Sequence, residues 1–271
     1  MAADALQKIM HRKRAEVAER MQHAPLELLR ERVAGMPSPR NFFQAVVAQG
    51  APMRTRIIAE VKRKSPSAGL IRADFDPVDI AARYHAAGAS AISCLTDEPD
   101  FGGRLEFIQQ IREHVPLPVL RKDIIVDAWQ IWESRAAGAD AILLIAECLT
   151  EAQIVDFQIL AVELGLTTLL EVHDVESLYR VRPHVGFPHA GYALLGINNR
   201  DLRTMTTSLG HTFRMVDLIE DRSIVVSESG IRTTEDLRKL REHGVHIALV
   251  GEHLMKQPDP GDALHELLRP T

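Results

Sequence analysis

The sequence predicts an α/β chain of the (β/α)8 TIM-barrel class with an N-terminal helical extension, and three observations carry the prediction. A weak unit recurs in which a helical stretch, a glycine, a short aliphatic run and a polar residue follow one another. Eight such aliphatic runs fit into 271 residues, a length that α/β barrels use as one domain. Neither a Gly-x-Gly-x-x-Gly after the first run nor a Walker sequence is present, so the fingerprints of an open doubly wound sheet are missing.

The unit is clearest in HAAGASAISCLTD (85–97) and SRAAGADAILLIAE (134–147). Further copies are ELGLTTLLEVHD (163–174), a blurred HAGYALLGINN (189–199) and REHGVHIALVGE (241–252). Each glycine falls where a helix C-terminus needs a left-handed residue, and the run that follows is too short for a helix. The strands predicted in this way are 56–61, 91–96, 117–122, 141–146, 167–172, 193–198, 223–228 and 246–251. Their apolar residues run on rather than alternate, as in parallel strands covered on both faces.

Helical signals fill the gaps. Asp76 with Pro77 and Asp259 with Pro260 read as N-cap plus first-turn proline. Thr150 with Gln153 fits a capping box, after which Ile154, Phe157, Leu160 and Leu164 line one face. Val126, Trp129 and Trp132 share a face of the third helix and are assigned to packing against the sheet. Ahead of the first strand, Leu6, Met10, Lys13 and Val17 stand at helical spacing in a strongly charged stretch. Residues 1–50 are therefore read as a helical extension covering the barrel mouth, within a single domain spanning 1–271. Asp4, Glu16 and Glu19 oppose an Arg-rich transit peptide.

Composition excludes several classes of function. With 46% hydrophobic and 25% charged residues the chain can bury a large core. Its 32 basic and 37 acidic residues give a net charge of −5, with no pull toward nucleic acid or anionic lipid, so neither is expected as a partner. No stretch approaches the ~18 consecutive apolar residues of a membrane span, and the N-terminus lacks a secretory apolar region. A cytoplasmic location follows as the expectation. Cys94 and Cys148 form no framework and are expected to be buried free thiols. The twelve histidines include no His-Glu-x-x-His and no paired spacing, so no metal is expected.

Barrel chemistry sits at the C-terminal ends of the strands, and there the polar residues are dense. Strand alternation places Glu60, Lys62, Lys122, Glu171, Asn198 and Glu228 on the inward face. Three carboxylates and two ammonium groups in a partly desolvated mouth must pair, and pairing shifts their proton affinities toward acid–base use. Glu171 is the only charge in TTLLEV and is the sharpest single signal. Each of Lys122, Glu171 and Glu228 has an alternative reading as a salt bridge closing the barrel, and Lys122 could instead form a Schiff base. The loops after strands seven and eight read SESGI (227–231) and VGEHLM (250–255), with Ser229, Gly230 and Gly251 where a phosphate would rest. A small phosphorylated substrate is the expected partner. His173 and His253 are read as orientation or solvent residues.

The runs IIAEVKRKSPSAG (57–69), VLRKDII (119–125), LLEVHD (169–174), GINNRDL (196–202), VVSESGI (225–231) and VGEHLM (250–255) resemble the indole-3-glycerol-phosphate synthases in order and spacing. The resemblance spans essentially the whole chain, including KIMHRKRAEVAER (8–20) as the extra helix over the mouth. It implies a barrel of the ribulose-phosphate-binding type that works as a carbon-carbon lyase in tryptophan biosynthesis. The implied reaction converts 1-(2-carboxyphenylamino)-1-deoxyribulose 5-phosphate to indole-3-glycerol phosphate with loss of CO₂ and water, without metal or organic cofactor.

The resemblance also implies roles. Lys122 is the general acid for the ribulosyl carbonyl, and Glu171 serves the proton transfers of the dehydration. Lys62 holds the substrate carboxylate and protonates the departing hydroxyl. Glu60 and Asn198 orient these groups, Glu228 lines the site, and Phe101 lies at the mouth loop. Phosphate rests on Ser229, Gly230, Gly251 and Glu252, with Arg200 and Ser65 nearby. His253 and Arg104 depart from the family pattern, which has Ser or Ala at the first and Ser at the second. A sugar-phosphate isomerase, a Schiff-base aldolase and a non-catalytic phosphate-binding scaffold are the alternatives, and a monomer or weak homo-oligomer is expected.

Overall fold

The structure is a computed structural model and describes residues 2–47, 54–201, 204 and 206–269. Eight strands form a closed barrel: β1 (Arg56–Val61), β2 (Ala91–Leu95), β3 (Val119–Lys122), β4 (Ala141–Ile145), β5 (Thr167–Val172), β6 (Ala193–Asn198), β7 (Val225–Glu228) and β8 (Ile247–Val250). Every neighbouring pair is parallel, and β8 closes on β1 with Arg56 opposite Ile247. All eight runs read from the sequence are strands, five of them shorter by one or two residues. The third starts only at Val119 because Pro118 has no N–H to donate. Ser223 and Ile224 lie in a 3₁₀ turn, and Ala146 opens another.

Three helices precede the barrel: α1 (Ala2–His23), α2 (Leu26–Ala34) and α3 (Phe42–Val46). Among the described residues eight longer helices surround it, besides short helical turns at Glu98–Phe101 and Glu252–Met255: α4 (Pro77–Ala86), α5 (Glu106–His114), α6 (Ala128–Ala136), α7 (Glu151–Glu163), α8 (Val175–Val181), α9 (Gly210–Val216), α10 (Thr234–Glu242) and α11 (Pro260–Leu267). The capping devices form as read: Asp76 accepts from the Val78 and Asp79 N–H groups, and Thr150 and Gln153 make a reciprocal box. Gly88, Gly138, Gly165 and Gly244 take the left-handed conformation that links helix to strand. In the blurred copy the left-handed residue is Gly186 instead, and Gly191 sits in a 3₁₀ turn.

The tryptophans correct one expectation. Trp129 donates its indole N–H to the Ala24 carbonyl at 2.9 Å, and the Arg20 guanidinium lies over its ring. Trp132 carries Arg30 of α2 in the same way. These rings therefore serve the joint between α6 and the N-terminal helices, where an aromatic face can meet a cation. The extension is held at the other end of the strands by Arg40, which donates to the Arg112, Val115 and Leu117 carbonyls, while its N–H bonds Asp140. Cys94 and Cys148 are buried free thiols. Among the described residues no helix is long and apolar enough to cross a membrane.

Candidate active site

The C-terminal ends of the strands surround a cavity of about 790 Å³. All thirteen residues singled out from the sequence line it: Glu60, Lys62, Ser65, Phe101, Lys122, Glu171, Asn198, Arg200, Glu228, Ser229, Gly230, Gly251 and Glu252. The strand register explains the convergence, because Asn198 stands opposite Glu228 and Leu95 opposite Lys122. Side chains two residues apart on one strand share a face, and the alternate strands β3, β5 and β7 bring Lys122, Glu171 and Glu228 together at one level of the barrel.

Lys122 is the hub. Its ammonium donates to Glu171 Oε2 at 2.6 Å and to Glu228 Oε2 at 2.8 Å. Burial alone would lower its proton affinity, but Glu171, Glu228 and Glu60 together raise it above the ordinary lysine value. The group is therefore an ammonium, a proton donor rather than the neutral amine a Schiff base requires. A second pair stands beside it, with Lys62 donating to Glu60 at 2.5 Å.

The two carboxylates on Lys122 part company. Glu228 is pushed up to about 8, first by burial and then by the neighbouring Glu171. Burial also opposes ionisation of Glu171, but Lys122 and then His173 overcome it and hold the group well below the usual carboxylate range. Like charges this close oppose each other's ionisation, so the pair holds a proton more tightly than an isolated carboxylate, with Glu228 the more basic of the two. Glu228 Oε1 is buried without a hydrogen-bond partner.

Two glycines make room for these carboxylates. A Cβ on Gly251 would fall 2.4 Å from Glu60 Oε1, and one on Gly196 would fall 2.3 Å from Glu228 Oε1. Glu60 occupies the side of Gly251 that a Cβ would take. On the phosphate side, Ser229 adopts φ 69° and Gly230 φ 81°. A non-glycine residue in the left-handed region is uncommon and marks a loop whose backbone is held for a purpose. Arg200 bonds Glu252 at 3.0 Å, and Lys256 bonds the same carboxylate at 2.6 Å.

The N-terminal helix supplies part of the wall. Leu6 and Ile9 line the cavity together with Phe101, Leu95 and Ile124. Lys13, on the same face of α1 as Met10 and Val17, is fully buried and pairs with Asp97 at 2.8 Å and Asp123 at 3.0 Å. Arg121 reaches Asp123 and Glu133 on the outside of the barrel. Sequence reasoning missed this network, although a lysine on an otherwise apolar helical face was a usable signal. Asp97 is a cavity residue it also missed. His173 is nearly buried between Glu171 and Glu147 and lines the cavity. Of the two departures, His253 lines the cavity, whereas Arg104 is exposed and pairs with Glu98 at 3.2 Å outside it. Among the described residues, no group of three or more His, Cys, Asp or Glu side chains is placed to hold a metal ion.

This is the architecture of a (β/α)8-barrel protein with an acid–base centre at the C-terminal ends of its strands. Solved structures share the fold: 3-hexulose-6-phosphate synthase from Salmonella typhimurium superposes with a TM-score of 0.60 at 16% identity, covering 79% of this chain and 98% of that one. KGPDC from Streptococcus mutans gives 0.57 at 12% identity, covering 79% of this chain and 95% of that one. At the level of sequence, the family model for indole-3-glycerol phosphate synthase matches residues 6–267. Proteins of that name from Rhodospirillum rubrum and Acidithiobacillus ferrooxidans are 42% and 46% identical to this chain. The first alignment covers 98% of this chain and 99% of the relative, the second 97% and 98%. The chain belongs to the indole-3-glycerol phosphate synthase family.

Proposed function

We propose that the protein is a carbon-carbon lyase of tryptophan biosynthesis that closes the indole ring. Its substrate is 1-(2-carboxyphenylamino)-1-deoxyribulose 5-phosphate and its product indole-3-glycerol phosphate. The observation that carries this reading is the Lys122 ammonium, held between Glu171 and Glu228 on the floor of a cavity with an apolar wall and a glycine-bearing anion rim.

The ring carbon that bears the substrate carboxylate attacks the ribulosyl C2 carbonyl, and Lys122 gives its proton to the oxygen as the alkoxide develops. Loss of CO₂ returns the electron pair to the ring. The C2 hydroxyl then leaves as water with a proton from Lys62, and Glu171 takes a proton from the C1 methylene to complete the indole. One ammonium for each oxygen and one carboxylate for the carbon acid are sufficient, so the chemistry calls for neither metal nor organic cofactor. Glu60 holds Lys62 in place, Asn198 hydrogen-bonds the substrate, Glu171 keeps Lys122 charged, and Glu228 accepts a hydrogen bond from Lys122 that fixes its position.

Phosphate rests on the backbone of Ser229, Gly230, Gly251 and Glu252, with Ser65 and Arg200 at its side. The aromatic ring lies against Phe101, Leu6 and Ile9. Within the N-terminal extension of a single barrel domain, the helix Ala2–His23 acts as a cover over the mouth, and the protein works in the cytoplasm as a monomer or weak homo-oligomer. A Schiff-base aldolase is disfavoured because Lys122 holds its proton.

The test is indole fluorescence from purified protein mixed with the substrate in the presence of EDTA. Growth of the signal is the expected result. A flat trace with tight binding of a sugar phosphate would keep the barrel and discard the lyase.

A further inference from the structure

We propose that Arg72 is a positioning residue for the substrate phosphate, holding the turn after β8 in register with the loop that carries Lys62; the role rests on the ring closure proposed above. One substrate molecule has to meet two segments that are far apart in sequence. Its phosphate rests on the backbone of Gly251 and Glu252, while Lys62 protonates the hydroxyl that leaves. Lys62 opens the loop after β1, and such loops shift more easily than the strands that carry them. A displacement of about 1 Å between the two segments would misplace one end of the substrate.

Arg72 spans the gap. Its Nη1 donates to the Gln257 carbonyl at 2.9 Å and to the Met255 carbonyl at 3.4 Å, and its Nη2 donates to the Pro258 carbonyl at 3.0 Å. These carbonyls lie at and just beyond the C-terminal end of the helical turn Glu252–Met255, where one guanidinium can satisfy several acceptors at once. Inside the turn, the Met255 N–H bonds the Gly251 carbonyl at 3.0 Å and the Lys256 N–H bonds the Glu252 carbonyl at 3.2 Å. The grip on one end therefore fixes the backbone at the other, where Gly251 and Glu252 line the cavity. On the loop side, the N–H groups of Ile71 and Arg72 both donate to the Arg63 carbonyl, at 2.9 and 3.2 Å. Arg63 follows Lys62, and a short ladder of Lys64–Ser65 with Gly69–Leu70 closes the loop between Arg63 and Arg72.

The surroundings favour a tie over a direct contact with substrate. The Arg72 side chain is 12% exposed and is not among the residues lining the cavity. Its carboxylate partner Asp74, at 3.1 Å, is largely exposed, which leaves the three carbonyls as its buried acceptors. A second joint lies beneath: the buried Tyr84 hydroxyl is 3.3 Å from both the Glu60 carbonyl and Met255 Sδ. Tyr84 belongs to α4 and joins the end of β1 to the turn, whereas Arg72 reaches the loop beyond Lys62.

Calorimetric titration with inorganic phosphate reads the turn by itself, and steady-state indole fluorescence reads the whole span from phosphate to Lys62. Arg72→Met is expected to weaken inorganic phosphate binding about 3- to 10-fold and to lower kcat/KM about 10- to 100-fold, mainly through KM. Arg72→Lys keeps the charge but reaches fewer carbonyls, and should fall between Arg72→Met and the wild type in both measurements. A merely stabilising residue would lower the melting temperature and leave phosphate affinity and KM of the folded protein unchanged, and that result would overturn the proposal. So would a kcat/KM loss no larger than the loss of phosphate affinity, or failure of both variants to fold. Wild-type protein that binds phosphate without turnover would overturn the ring closure; the hold on the phosphate would then stand if Arg72→Met weakened that binding and fall if it did not.

Discussion

Strand β3 ends in three consecutive charges that serve two different regions. Arg121 on the outside of the barrel and Asp123 on the cavity rim join a network with Lys13 and Glu133, while Lys122 between them points in to Glu171 and Glu228. In the outer network each buried carboxylate meets cations. Asp123 is fully buried yet held down to about 2; burial is overcome by Arg121 and then Lys13. In the inner cluster two carboxylates compete for one ammonium, and Glu228 is pushed up to about 8. Equal burial with opposite shifts separates the two tasks: matched charges fasten the N-terminal helix to the barrel, and mismatched charges keep protons mobile.

Replacing Lys122 is the most severe way to test this division. Lys122→Met is expected to lower kcat by about 10²- to 10⁴-fold with the far-ultraviolet circular dichroism unchanged. An active variant would remove the general-acid role. Lys13→Met should do the reverse, leaving Asp97 and Asp123 buried beside a methionine. Breaking a buried pair costs about 3–5 kcal/mol, so denaturant unfolding should shift strongly, with smaller losses of kcat in the protein that stays folded. A smaller effect is expected from Gly251→Ala, whose new methyl displaces Glu60 and loosens Lys62; kcat/KM should drop about 10- to 100-fold with little change in melting temperature.

Glu228→Gln sharpens the comparison through pH. The folded-state affinity of Glu228 lies above the ordinary value of 4.5, so the native protein binds the extra proton between about 4.5 and 8. Stability from this group is thus present below 4.5 and lost as pH rises toward 8. Glutamine cannot ionise and still accepts from Lys122. The variant should melt a few degrees above the wild type at pH 9 and no higher at pH 5. Asp123 has the opposite sign: its contribution is present above about 3.8 and is lost as pH falls through about 2. Melting curves at several pH values check both.

Much of the fold and cavity was legible because barrels write their plan locally. Helix caps such as Asp76 and Thr150, left-handed glycines such as Gly138, and unbroken aliphatic runs each act over a few residues. The inward set of six followed from strand alternation once the strand ends were located, whereas the remaining cavity residues were read from the loop glycines and from the family resemblance. What stayed hidden was pairing across long sequence separations. Nothing near Lys13 announces Asp123, and nothing near His173 announces Glu147. The tryptophans were placed against the sheet because an apolar face does not say which neighbour covers it. The sequence likewise does not show that Glu60 lies where a Cβ on Gly251 would stand.

The most direct measurement is a carboxyl titration by carbon-13 nuclear magnetic resonance, with side-chain-labelled glutamate in the wild type and in Glu228→Gln. One glutamate carboxyl of the wild type should titrate with a midpoint near 8 and be missing from the variant. If every glutamate carboxyl of the wild type titrated below about pH 5, within the ordinary range, the inner cluster would be as well matched as the outer one and the division between them would fall.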